Sequence, residues 1–250
     1  MKRNLFNILF TAFALMVVPR QAMADEIRVA VASNFTDVMK RIVERFERNT
    51  GHKVKLTFGS TGKHYAQIMN GAPFDAFFAA DLLRPKLLET EGVAQSGSRF
   101  TYAIGKLILW SPKEGFVDGE GKLLQQRNFR YLALANPKLA PYGKAAQEVL
   151  QARGVWGTLQ GQMVRGENIG QTFHFIKSGN AELGFVATSQ VKRPNHSVEG
   201  SYWKIPQSLY SPIEQQAVLL KDKVAARAFL SFVKSDESLK IIGEFGYGSP

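Results

Sequence analysis

The 250-residue chain contains no cysteine. That excludes disulfide staples and thiolate metal sites, so stability must come from packing. Beyond residue 24 no apolar run approaches the roughly 20 residues that a membrane-spanning helix needs. Internal repeats and low-complexity tracts are missing, as is any Pro/Gly/Ser-rich linker, so two lobes would have to be joined by crossing strands and not by a loose tether. Lys and Arg outnumber Asp and Glu by 32 to 21, yet they form no basic run and no nucleic-acid motif. This leaves mild long-range attraction of small anions as the simplest consequence of the charge. A G-x-S-x-G nucleophile elbow is also lacking, which demotes an exported Ser hydrolase.

What is present begins with an export signal. Lys2 and Arg3 precede the apolar stretch from Leu5 to Val18, and Ala22-Met23-Ala24 supplies a small-x-small cleavage pattern. Residues 1–24 are expected to be a signal peptide, with an exported protein starting near Asp25. Loss of Lys2, Arg3 and Arg20 lowers the formal charge from +11 to +8.

From there apolar strand-like runs alternate with helical patterns, which reads as α/β with a mostly parallel sheet. Strands are expected at 27–32, 54–58, 74–81, 103–111, 131–137, 181–187 and 215–220, with one starting at 163. In 35–48 the residues Phe35, Val38, Met39, Ile42, Val43 and Phe46 recur at helical spacing. Further helices are expected after Gly62, at 82–90, 143–153, 222–233 and 236–245, and leading up to Gly179. If there are two lobes, the chain crosses between them near Ile104 and near Tyr210 to Ile213. One lobe is then 25–104 plus 211–250 and the other 105–210.

Four strand-to-helix junctions share one chemistry. They are Ser33-Asn34, Ser60-Thr61-Gly62, Pro141-Tyr142-Gly143 and Asn168-Ile169-Gly170. Each puts a small polar residue or Gly at a helix start, where first-turn N–H groups lack intrahelical acceptors and the helix dipole is positive. Such a turn holds an anion without any cationic side chain. In α/β sheets ligands sit outside the carboxyl ends of strands, where all four junctions fall. Ordinary helix capping is the competing explanation for any one of them.

With these residues goes a resemblance. "VASNF" (31–35), "GSTGKHYAQIMNGAPFDAFFAAD" (59–81), "GSRFTYAIGKLILWS" (97–111), "NPKLAPYGKAAQEVL" (136–150), "ENIGQ" (167–171) and "ELGFVA" (182–187) together resemble the periplasmic molybdate-binding proteins, the solute receptors of molybdate ABC importers. The resemblance implies a type II periplasmic binding protein fold: two α/β lobes with the ligand in the cleft between them. It implies molybdate contacts at Ser33, Asn34, Ser60, Thr61, Tyr142 and Ile169. Asn34 and Thr61 are expected to offer side-chain and backbone donors, Tyr142 and Ile169 backbone N–H alone. It implies a monomeric, non-enzymatic protein with no cofactor, whose cargo is molybdate or tungstate and whose partner is a membrane permease. Ala187 departs from the pattern, because many relatives carry a Tyr there whose hydroxyl reaches the anion.

Other readings carry less. "GSTGK" (59–63) resembles the end of a P-loop, but the full pattern needs Gly at 57 and Ser or Thr at 64, where Thr57 and His64 stand. His52, His64, His174 and His196 lack paired metal-ligand spacing and are expected to face solvent. Asp75 and Asp81 read as structural caps, and Trp110, Trp156 and Trp203 as packing residues. A receptor for another small anion (sulfate, phosphate or a carboxylate) on the same fold remains the alternative, with Arg99 and Arg165 as the nearest candidates for a carboxylate clamp.

Overall fold

The computed structural model describes residues 25–249; the expected signal peptide lies outside them. The chain runs β1 (Glu26–Ala32), α1 (Thr36–Thr50), β2 (Lys53–Gly59), α2 (Thr61–Met69), β3 (Ala76–Phe78), α3 (Leu83–Thr90), β4 (Phe100–Gly105) and β5 (Leu107–Ser111). It continues through α4 (Leu123–Gln126), β6 (Leu132–Ala135), α5 (Pro141–Ala152), β7 (Met163–Gly166), α6 (Ile169–Lys177), β8 (Leu183–Ala187) and α7 (Thr188–Val191). It ends with β9 (Ser201–Lys204), β10 (Ile213–Leu219), α8 (Val224–Val233) and α9 (Asp236–Glu244). A single 3-10 turn, Ser33–Phe35, joins β1 to α1.

Two five-stranded sheets result, ordered β2-β1-β3-β10-β4 and β7-β6-β8-β5-β9. They share one plan. In the first, β1 runs parallel to β2 and β3 while β10 runs antiparallel to β3 and β4. In the second, β6 runs parallel to β7 and β8 while β5 runs antiparallel to β8 and β9. The expectation of mostly parallel pairing is corrected accordingly: each sheet is mixed. The run 103–111 is also not one strand. β4 pairs in the first sheet, β5 in the second, and Lys106 lies between them. Apolar periodicity detects a strand but is blind to which sheet it joins.

Each sheet has its own core. Ile27, Val29 and Val31 pack with Phe35, Met39, Ile42 and Phe46 of the first turn and α1 and with Phe229 of α8. Leu107, Leu109, Leu132 and Leu134 pack with Val149 and Leu150 of α5 and with Phe185. The periodic face predicted for α1 is the buried one. Gly51, in the left-handed region at φ 75°, ends that helix by returning its N–H to the Glu47 carbonyl. Trp110 and Trp203 are buried and Trp156 packs against the second core.

Candidate functional site

The four junctions sit at the carboxyl ends of β1 and β2 in the first sheet and of β6 and β7 in the second. These are neighbouring strands in each case. Two hydrogen bonds bring them together across the cleft. Gly62 N–H of α2 donates to the Leu139 carbonyl just before α5 (2.9 Å). Gly170 N–H of α6 donates to Ser33 Oγ (3.1 Å). The arrangement is reciprocal, since each lobe lends the second N–H of one helix to the other lobe. Glycine eases the approach. A Cβ on Gly62 would stand 3.0 Å from the Leu139 carbonyl oxygen, and one on Gly170 would stand 3.3 Å from Ser33 Cβ.

The first turns are bonded in matching ways. In α2 the Ser60 hydroxyl accepts from Lys63 N–H (3.3 Å). In α6 the Asn168 side chain accepts from Gln171 N–H (3.0 Å). With the glycines turned to the opposite lobe, the first N–H of each helix, on Thr61 and on Ile169, has no intrahelical acceptor. In α5 Pro141 has no N–H to give and no side chain caps the helix, so Tyr142 N–H is in the same position. Ser60, Thr61, Asn34, Tyr142 and Ile169 are all buried, and Ser33 is half-buried. The Thr61 hydroxyl accepts from Ala80 N–H (3.0 Å), which leaves its own proton to donate.

Asn34 departs from expectation. Its side-chain amide donates to Gln215 Oε1 (2.8 Å) and to the Tyr247 hydroxyl (2.9 Å), so both amide protons are committed away from any ligand. The expectation of a side-chain donor here is therefore corrected, and only its backbone remains to serve a ligand. Gln215 Oε1 also accepts from the Tyr102 hydroxyl (3.0 Å), and Gln215 Nε2 donates to the Tyr142 hydroxyl (3.3 Å). Ser189 and Tyr247 hydroxyls both donate to the Asn34 carbonyl (2.9 Å each). Burial raises the Tyr102, Tyr142 and Tyr247 hydroxyls well above the usual phenol range, so the network under the cleft is uncharged at neutral pH. No sequence motif marked Gln215, Ser189, Tyr102 or Tyr247; Gln215 lies 181 positions from Asn34 and Tyr247 lies 213.

At Ala187, where the resemblance leads to a Tyr, the structure has a different device. Gln190 accepts from Ala187 N–H (3.0 Å) and donates to the Ile169 carbonyl (2.9 Å). This holds the very peptide whose N–H, on Gly170, meets Ser33.

No carboxylate belongs to the four junctions, and the acids nearby are engaged. Asp81 accepts from Arg84 N–H and pairs with its guanidinium, and Glu167 pairs with Lys63 across the cleft at 3.2 Å. Asp75 accepts from Arg28 N–H (2.8 Å) and meets Lys223 at 2.9 Å, a structural role. The described residues hold no cluster of three or more His, Asp or Glu side chains fit for a metal ion. One histidine is misjudged by the solvent-facing expectation. His64 is buried against Gly59, with its ring nitrogens 3.2 Å from the Val31 carbonyl and from Gln67 Oε1. The turn of α2 that presents Thr61 also rolls position 64 inward, which spacing alone does not show. Arg99 is bound to Glu89 and Gln216, and Arg165 to Gln160; neither reaches the junctions.

Two α/β lobes that meet where strand ends give way to helix starts have the architecture of a solute receptor. The comparisons with known proteins agree. Residues 27–248 match the bacterial extracellular solute-binding protein family, and the chain belongs to it. The molybdate-binding protein ModA of Azotobacter vinelandii is 50% identical over 230 residues, covering 91% of both chains. That of Rhodobacter capsulatus is 47% identical over 241 residues, covering 95% of this chain and 94% of the relative. The solved periplasmic molybdate-binding protein of A. vinelandii superposes with a TM-score of 0.87 at 42% identity, over 90% of this chain and 99% of that one. The sulfate-binding protein SubI of Mycobacterium tuberculosis, at 12% identity and a TM-score of 0.71, shares the fold.

Proposed function

We propose that this protein captures molybdate, and tungstate with it, in the periplasm and delivers the anion as a monomer to the membrane permease of an ABC importer. It is a transport component and not an enzyme, and the anion is cargo, not a cofactor. The carrying observation is the meeting, across one cleft, of helix starts that offer N–H and hydroxyl donors and include no carboxylate. The two ModA relatives, at 50% and 47% identity, support the same cargo.

Molybdate at neutral pH is a fully deprotonated tetrahedral dianion that can only accept hydrogen bonds. We assign its contacts to Ser33, Ser60 and Thr61 through hydroxyl and backbone groups, and to Asn34, Tyr142 and Ile169 through backbone N–H. Hydrogen phosphate carries a proton that needs an acceptor, and leaving it unpaired in a buried site costs about 1–3 kcal/mol. Sulfate matches the donors but has shorter bonds to oxygen, so the size of the cavity discriminates against it. Tungstate is nearly equal to molybdate in size and charge. Because the donors are neutral, release needs lobe opening and leaves no uncompensated buried charge. The units that move are 25–104 with 211–250 against 105–210, turning about crossings near Ile104 and near Tyr210 to Ile213.

A thermal-melt panel tests this directly. A ligand at 100 times its dissociation constant adds about 2.7 kcal/mol of stability. Micromolar molybdate and tungstate should raise the melting temperature strongly, while sulfate, phosphate and common carboxylates should not. A comparable shift with phosphate or a carboxylate would replace the proposal with a receptor for that anion.

A further inference from the structure

The cleft meets solvent on two flanks that differ in charge. Between α1 and α6 lies a groove of about 780 Å³ that reaches Ser33, Asn34 and Gly170. Three cations line it, Lys40, Lys177 and Arg193, against the single carboxylate of Asp37. Lys40 and Lys177 are exposed, and among the described residues neither has a carboxylate partner. Between α3 and α5 lies a smaller recess of about 320 Å³ that reaches Ala80, beside Thr61, and Pro141, beside Tyr142. There the balance reverses. Asp81, Glu148 and Glu214 face Arg84 and Lys144. Both cations are engaged, Arg84 by Asp81 and Lys144 at 3.9 Å from Glu148. Glu214 has no cationic partner among the described residues.

We propose that the anionic cargo enters the site by the α1/α6 flank, steered by Lys40, Lys177 and Arg193, while the α3/α5 flank, whose acids offset its cations, gives no such pull. This rests on the oxyanion reading of the site. Amide dipoles and hydroxyls hold an anion at contact, but their field fades within about a helical turn. Net charge near the mouth speeds capture from dilute solution, and it is felt over a Debye length of about 8–10 Å at physiological salt. Cations placed outside the donor ring speed arrival without forming a buried ion pair that release would have to break. Arg193 adds a coupling to lobe motion. Its guanidinium meets Asp37 of α1 at 2.9 Å, across the cleft. Opening separates the pair and exposes the positive charge to incoming anion; closure covers it again.

The test compares two double variants of equal net charge. Lys40→Glu with Lys177→Glu reverses the α1/α6 flank. Lys138→Glu with Lys144→Glu makes the same change beside the α3/α5 flank, and all four side chains are exposed. Molybdate association and dissociation are measured by stopped-flow with a dye on one introduced cysteine, a unique handle in this chain. At about 10 mM salt the first pair should slow association about tenfold, a gap that closes near 0.5 M salt, with dissociation changed less than about twofold. The second pair should slow association less than about twofold. Lys40→Gln with Lys177→Gln, a milder change, should fall between parent and Glu variant. Equal slowing by both Glu pairs, or none by the first, overturns the steering route. Absence of molybdate binding to the parent protein in a calorimeter would instead sink the oxyanion reading.

Discussion

The two banks of the cleft are built on one plan and use their side chains differently. On the first sheet's bank Ser33, Ser60 and Thr61 carry hydroxyls beside the proposed backbone donors. On the second sheet's bank the side chains turn away from the cleft. The Tyr142 hydroxyl accepts from Gln215 in the polar network, and Ile169 packs into the second core. The same helix-start chemistry is thus supplemented on one side and left bare on the other. Side-chain identity should set affinity on the first bank and stability on the second.

The sharpest way to break that contrast is Thr61→Val. It removes a hydroxyl donor and leaves the buried Ala80 N–H unpaired, so molybdate affinity should fall about tenfold to a hundredfold in titration calorimetry. Thr61→Ser should bind close to the parent, and equal losses for both would mean that shape, not the hydroxyl, matters. Gly62→Ala comes next. Its Cβ would crowd the Leu139 carbonyl at 3.0 Å, so closure should be hindered and affinity reduced about tenfold, with the ligand-free melting temperature little changed. On the opposite bank, Tyr142→Phe should cost about 1 kcal/mol of stability, because the Gln215 amide loses its acceptor, yet shift affinity less than about threefold. Ile169→Val should cost about 0.5–1.5 kcal/mol by denaturant melt and leave affinity within about twofold of the parent. A large affinity loss in either second-bank variant would erase the distinction between the banks.

The smallest effect is a pH dependence. Burial holds the His64 imidazole below its ordinary value. The unfolded chain then binds a proton that the folded chain refuses. Stability is full above about pH 6.5 and declines as pH falls below it. His64→Gln should flatten the melting-temperature slope between about pH 6.5 and 5.5; an unchanged slope would show that other groups set it.

Much of this was readable in advance. The core-facing stripe of α1 follows from Phe35 to Phe46 at helical spacing, and the four junctions follow from polar residues and glycine placed where strand periodicity gives way to helix. What was not readable has a common cause. The single run 103–111 gave no sign of dividing between two sheets, because periodicity reports a strand and not its neighbours. The short strand Ser201–Lys204 carries no apolar alternation to read, because it buries Ser201 with Trp203 and exposes Tyr202 with Lys204. The Asn34 side chain was expected to face the anion, because a cap residue looks the same whether its amide points to a ligand or to a distant glutamine.

The sequence by itself determined where each chain segment turns from strand to helix, which residues stand at those turns, and that none of them is an acid. These are local properties, set by backbone propensity and side-chain chemistry within a few positions. Only the tertiary structure decided that Gly62 meets Leu139 and Gly170 meets Ser33, that Gln215 and Tyr247 take the Asn34 amide, and that the two flanks differ in charge. Those contacts join residues up to 213 positions apart, and their partners are chosen by how distant strands and helices assemble within each lobe and meet at the strand ends between lobes, which no short window of residues encodes.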